Sequence, residues 1–121
     1  MNYFSEKELA CPCCGVNGFK QETLGRLNKL REACGFPMSL NSAYRCEAYN
    51  SLKGFTQTHA TGQAVDIRVS HKKSFKVVEL APKFGFTGIG FKQKGPVSGR
   101  FIHLDDLEEV AGRPRPHVWS Y

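Results

Sequence analysis

A histidine seven residues ahead of an aspartate, with a glycine between them and an apolar strand at the aspartate, narrows the folds open to this chain more than any other pattern in it. The stretch is THATGQAVDIRV, Thr58 to Val69. A second stretch, RFIHLDD (Arg100 to Asp106), also reads as strand and sets His103 beside carboxylates. Gly62 allows the chain to double back after His59, so that His59 and Asp66 can point at one spot. Neighbouring antiparallel strands can bring His103 beside Asp66. Imidazole nitrogen and carboxylate oxygen are zinc-ligand types, and a catalytic zinc uses three protein ligands with the fourth position left to water. The same spacing also suits a plain His–Asp hydrogen bond or unrelated surface residues, and spacing alone leaves these readings open. His71, at a helix start, and His117, in the tail, need no ligand role.

The rest of the chain supplies a scaffold for such a site. Ser5 can cap a short turn before a Gly/Pro/Cys-rich loop. Leu24, Leu27, Leu30 and Cys34 recur at helical spacing from about Gln21, and Gly35 and Pro37 end that helix. MSLNSAYR alternates like a half-buried strand, and CEAYNSLKG is a loop with a short helix closed at Gly54. QAVDIRVS is a strand. Ser70 opens a helix that carries Phe75, Val78 and Leu80 towards Gly85. TGIGFKQKG and GRFIHLDD read as a hairpin across a Gly/Pro turn. The tail RPRPHVWSY, residues 113–121, reads as a segment covering the body. This order predicts a single α+β domain over residues 1–121, with an antiparallel sheet flanked by helices and a cysteine-containing N-terminal segment over residues 1–20.

With 121 residues the chain can bury one core without staples. The start MNYFSEKELACPCCG lacks a basic segment followed by an apolar run. No signal peptide is expected, and synthesis in the cytoplasm is. No window approaches a membrane span. Net charge is +6, dispersed apart from HKKSFK. That favours an anionic polymer of any kind, whether nucleic acid, cell-wall polymer or membrane surface, and sets the partner's sign rather than its identity. No basic recognition helix for reading bases is present, and neither nucleic acid nor membrane is the expected partner.

Five cysteines are present. Cys11 and Cys14 stand at C-x-x-C spacing, while Cys34 and Cys46 are too far apart to be a second close pair. Three readings are open: a structural metal site from Cys11, Cys14, Cys34 and Cys46; reduced thiols packing the N-terminal loop; or a disulfide, for example between one of the first three cysteines and Cys46.

Five ordered segments, SAYRCEAYN, THATGQAVDI, GIGFKQKG, RFIHLDD and RPHVWSY, resemble the M15 zinc peptidases. That group includes D-Ala-D-Ala carboxypeptidases, L-alanyl-D-glutamate endolysins and proteins of the hedgehog fold, and the likeness extends to its short phage and murein-endopeptidase members. It covers residues 41–121, with Gln57 where the motif usually has Ser. The resemblance implies Zn2+ held by His59, Asp66 and His103, with Arg45 near the substrate, where a guanidinium can stabilise a developing oxyanion. A structural salt bridge is the alternative for Arg45. It further implies a peptidoglycan peptide as substrate and, in a phage, holin-type delivery to the cell wall; the chain is expected to be a monomer.

One position departs from the pattern. Several relatives carry an acid three residues before the last histidine, where this chain has Arg100. Asp105, two residues after His103, shares its strand face and is the candidate general base. Its alternative is to support another ligand by hydrogen bonding, and Asp106, Glu108 and Glu109 stand behind it. Trp119 is a candidate substrate contact with Tyr121 beside it, although terminal aromatics also serve as packing. Loop residues 92–98 are candidates for shaping the cleft. The Arg100 departure leaves a second class open, a catalytically inactive, metal-stabilised wall-binding module, and a third, a nucleic-acid binder using CPCCG and the positive charge.

Overall fold

The computed structural model describes all residues, 1–121. Helix α1 spans Glu6–Leu9, α2 Gln21–Cys34, α3 Glu47–Lys53 and α4 His71–Leu80. The strands are β1 Ser39–Ser42, β2 Ala64–Arg68, β3 Gly88–Lys92, β4 Phe101–Asp105 and β5 His117–Ser120, with short 3-10 turns at Thr58–Thr61, Ala81–Phe84 and Val97–Gly99. One five-stranded sheet runs in the order β1-β2-β4-β3-β5. The architecture is α+β.

Strand alternation divides the sheet into two faces. Val65, Ile67, Ile102 and Leu104, all fully buried, turn one face towards the helices. There they join Leu24, Leu27 and Leu30 of α2, which line up as their three-residue spacing predicts. Truncating a side chain such as Leu27 to alanine costs about 2–5 kcal/mol in a packed interior. The other face carries Asp66, His103 and Asp105. Packing on the first face therefore sets the register that brings the polar residues of the second together.

Two elements differ from expectation. The β2–β4 and β3–β4 pairs are antiparallel, but β5 pairs in parallel with β3, so the sheet is mixed. Strand β4 ends at Asp105, opposite Gly88 where β3 begins, and the following loop returns the chain to that same end. His117 then starts beside Gly88 and β5 runs alongside β3. Part of the tail is thus an edge strand rather than a cover. In α4 the buried residues are Ser74 and Val77, followed by Ala81, while Phe75 is 74% exposed. Val77 and Ala81 pack into the core on this face and the Ser74 hydroxyl donates to Gln93 Oε1 at 2.7 Å, a phase that leaves Phe75 outward.

Candidate metal centre

The three predicted donors are delivered by two local devices, a strand pair and a tight turn. Asp66 and His103 are directly paired residues of β2 and β4. They belong to a row that crosses the whole sheet: Ser42, Asp66, His103, Gly90, Trp119. His59 comes from the 3-10 turn. Gly62 ends that turn at φ 76°, and a side chain there would collide with the Gly18 carbonyl, so only glycine fits the tight reversal into β2. The ligating atoms of His59, Asp66 and His103 lie within 4.8 Å of one another. Both histidines are 3% exposed, and the Asp66 side chain is 14% exposed, which leaves the opening on the aspartate side.

Hydrogen bonds on the outer side of each imidazole decide what faces inward. His59 Nδ1 lies 2.8 Å from the Ala43 carbonyl, which can only accept. That nitrogen therefore carries the proton, and Nε2 presents a lone pair 3.4 Å from Asp66 Oδ1. His103 Nε2 lies 2.8 Å from Asp105 Oδ2. Burial would raise the Asp105 pKa, but hydrogen bonds from His103 and Arg115 outweigh it and hold the carboxyl at about 2. The ionised Asp105 fixes the proton on Nε2 and turns the Nδ1 lone pair towards Asp66 Oδ1, 3.1 Å away. Two lone pairs and a carboxylate thus converge with no proton of their own between them. A cation satisfies all three at once, and two imidazoles with one carboxylate are a zinc-type set that leaves a fourth position open. The donor set fits the metal.

Without a cation, a proton has to take that place. Burial opposes charge on His103, yet the Asp105 and Asp66 contacts prevail and its pKa is raised. Burial likewise opposes ionisation of Asp66, and the two histidines overcome it, holding that carboxyl well below the usual range.

Asp105 sits where strand geometry puts it, on the His103 face, but it lies behind the imidazole rather than in front of it. It is fully buried. Arg115 clamps it bidentately, Nε to Oδ1 at 2.8 Å and Nη2 to Oδ2 at 2.7 Å, and the Leu107 N–H adds a bond at 3.3 Å. Both oxygens are engaged on the side of His103 away from Asp66, the arrangement of a carboxylate that supports a ligand by hydrogen bonding. Asp106 accepts from Thr23, Arg26 and Gln63 and ties α2 to the sheet. Glu109 accepts from the Arg115 backbone, and Arg100 bonds the Gly95 carbonyl in the β3–β4 turn.

Arg45 follows directly on the loop that carries the Ala43 carbonyl, and its N–H bonds the His59 carbonyl at 3.4 Å. Its side chain makes no ion pair and no hydrogen bond, and its Nε is buried without a partner. The guanidinium stacks 4.6 Å from the Phe55 ring centre. Burial works against its charge and the Asp66 carboxylate works for it. Trp119 flanks the centre, its ring 5.1 Å from that of His103, with Arg115 5.2 Å from the indole and His117 stacked at 5.6 Å. Tyr121 packs on Phe101 at 5.2 Å. A cavity of about 880 Å³ runs between α1 and β1 and is lined by Arg45, Ser42 and Tyr49 but by none of the three donors. It adjoins the centre through Arg45.

Arg115 and two glycines of β3 escape a reading of the sequence. A β-carbon on Gly88 would lie 2.6 Å from Asp105 Cγ, and one on Gly90 would lie 2.5 Å from Trp119 Nε1. The G-x-G of TGIGF clears room for the clamp and for the indole, and it is the signal that could have located both. Gly88→Ala is expected to destabilise the fold by about 1–3 kcal/mol through overpacking. Gly25→Ala, in α2 with open space around the new methyl, should stabilise it by about 0.5–1 kcal/mol. Thermal melts of the two variants, read against the parent, check this opposition of sign.

A profile of the family described as Peptidase M15 matches residues 2–105. No curated protein and no solved structure matches the chain.

Proposed function

This chain belongs to the M15 peptidase family, a family of metal-dependent peptidases, and from that premise we propose that it is a zinc enzyme hydrolysing peptide bonds in the stem or cross-link peptides of peptidoglycan. The observation that carries the reading is the pairing of three converging acceptors with a half-buried arginine beside them, Arg45, whose guanidinium has no acceptor of its own and whose Nε is shut off from solvent. Bound to His59, Asp66 and His103, zinc would supply the Lewis acidity that activates water and polarises the scissile carbonyl. Arg45 offers a forked donor to the carbonyl oxygen, where negative charge develops. Asp105 and Arg115 hold the His103 ring and its tautomer, and Trp119 walls the centre and lines the substrate path. The surplus of positive charge suits an anionic wall.

In this reading the chain acts as a monomer on the cell wall, without nucleic-acid or membrane partners. A phage endolysin delivered by a holin-type partner is its biological setting. No helix is long and apolar enough to cross a membrane.

One observation favours a second reading, a metal-stabilised wall-binding module without catalysis: the expected acids Asp105 and Asp106 are both committed elsewhere. Mass spectrometry of soluble fragments from purified peptidoglycan, incubated with zinc-loaded protein with and without a chelator, separates the two. Chelator-sensitive fragments are expected, and their masses identify the bond. Zinc-loaded protein that releases no fragments from several wall chemotypes, yet still sediments with them, would establish the binding module instead.

A further inference from the structure

The N-terminal cysteines were open to three readings, and the fold brings four of the five together. Cys11, Cys13 and Cys14 meet Cys46 with all four sulfurs within 4.8 Å of one another. Cys34 is not among them. It lies at the end of α2, packed against the core, so the expected set exchanges Cys34 for Cys13. All five thiols are free.

We propose that Cys11, Cys13, Cys14 and Cys46 form a second, structural metal site that takes a thiophilic tetrahedral cation, zinc before any other. A Zn–S bond of about 2.3 Å requires sulfurs about 3.8 Å apart at the corners of a tetrahedron. The sulfurs of Cys11 and Cys13 are 3.5 Å apart and those of Cys13 and Cys46 3.4 Å, a few tenths short of that edge, and the remaining pairs lie within 4.8 Å, so closing the site needs shifts of no more than about 1 Å.

The backbone around the sulfurs is arranged for anionic thiolates. The Cys46 N–H points at Cys11 Sγ and the Tyr49 N–H at Cys46 Sγ, each at 3.4 Å. Such N–H···S bonds offset charge on metal-bound sulfur. The loop is closed on itself: Cys11 N–H bonds the Val16 carbonyl at 2.8 Å, and Gly15 N–H bonds the Cys11 carbonyl at 2.9 Å, with Gly15 at φ 73°. This turn points three sulfurs of CPCCG to one side, and the start of α3 supplies the fourth. Cys13 and Cys14 are exposed. Exposed free thiols are a liability that a closed metal site removes.

The site joins residues that are far apart in sequence. It ties the N-terminal loop to Cys46, and Cys46 follows Arg45, the residue whose guanidinium lacks an acceptor. A rigid Cys46 fixes the backbone from which Arg45 reaches towards the His59–Asp66–His103 centre.

Metal content and cobalt spectroscopy test the proposal without any reading of activity. Protein isolated under a phosphine reductant is expected to hold about two zinc ions per chain, one per site. A His59→Ala/His103→Ala variant should keep one of them. Cobalt-substituted protein should show an intense near-ultraviolet thiolate-to-cobalt charge-transfer band, present in the double histidine variant and weakened by Cys14→Ser at its exposed position. Zinc should also shield four of the five thiols from a thiol reagent and leave Cys34 reactive. The proposal is overturned if folded parent protein shows no charge-transfer band, or if all its zinc disappears with the two histidines. Because the histidine centre contains no sulfur, failure at either site is read separately from the other.

Discussion

Replacing Arg45 with methionine is expected to lower kcat on peptidoglycan fragments by about 10²–10³-fold while leaving zinc content unchanged. Methionine preserves the apolar stem against Phe55 and removes the fork. In the folded chain the guanidinium satisfies no acceptor, so its loss breaks no ion pair and no hydrogen bond within the protein. The cost should therefore appear when substrate charge develops, not in the melting temperature. Arg45→Lys keeps the charge but presents a point donor on a flexible stem, and it should recover only part of the rate. The division between kinetic constants carries further information. A fall in kcat places Arg45 on the oxygen of the reacting carbonyl, whereas a rise in KM alone places it on a remote substrate carboxylate bound equally in ground and transition states. Unchanged kcat and KM in Arg45→Met would remove Arg45 from the site altogether.

The donors were legible because their chemistry and their local geometry are written in the same short stretches. His59 precedes a glycine that can turn, and Asp66 and His103 interrupt apolar strands whose alternation sets the face each side chain takes. The leucines of α2 were legible for the same reason, since three-residue spacing is local. What stayed hidden depends on pairing between distant segments. Arg115 sits in a proline-interrupted tail, and its reach to Asp105 follows from the parallel alignment of β5 with β3, which alternation in either strand does not reveal. Cys13 was passed over because spacing rules weigh the outer pair of C-x-x-C, while the sulfur that completes the cluster comes from the middle of the turn. Phe75 faces outward because apolar character alone does not set helix phase; the phase that buries Val77 and Ala81 and lets Ser74 reach Gln93 leaves it in solvent. The reading of Asp105 was right about the strand face, but the His103 ring comes between its carboxylate and Asp66. Alternation reports the side of the sheet a residue occupies and says nothing of the order of groups on that side.

Replacing Asp105 with asparagine tests that last point, and the expected result is a loss of metal affinity of about 10–100-fold. The amide is nearly the same size as the carboxylate, so packing is preserved, but it cannot accept at both oxygens. In the native chain one oxygen takes the His103 Nε2–H and an Arg115 N–H, while the other takes the second Arg115 N–H and the Leu107 N–H. An asparagine NH2 must face one of these donors. If it faces Arg115, two donors collide beside a buried guanidinium. If it faces His103, the imidazole must give up the Nε2 proton and carry it on Nδ1, which removes the lone pair now turned towards Asp66. Both arrangements weaken the metal centre from behind. Activity of Asp105→Asn should consequently fall at limiting zinc and return substantially as zinc is raised, with the zinc titration midpoint shifted by the same factor. A general base would behave in the opposite way: its loss would leave the zinc titration untouched and depress kcat at saturating metal. Arg115→Gln supplies an independent check, because it loosens the clamp without altering the acid, and it should shift the zinc titration in the same direction by a smaller factor. If both variants bind zinc as tightly as the parent, the clamp does not position His103, and Asp105 regains its place as the candidate base.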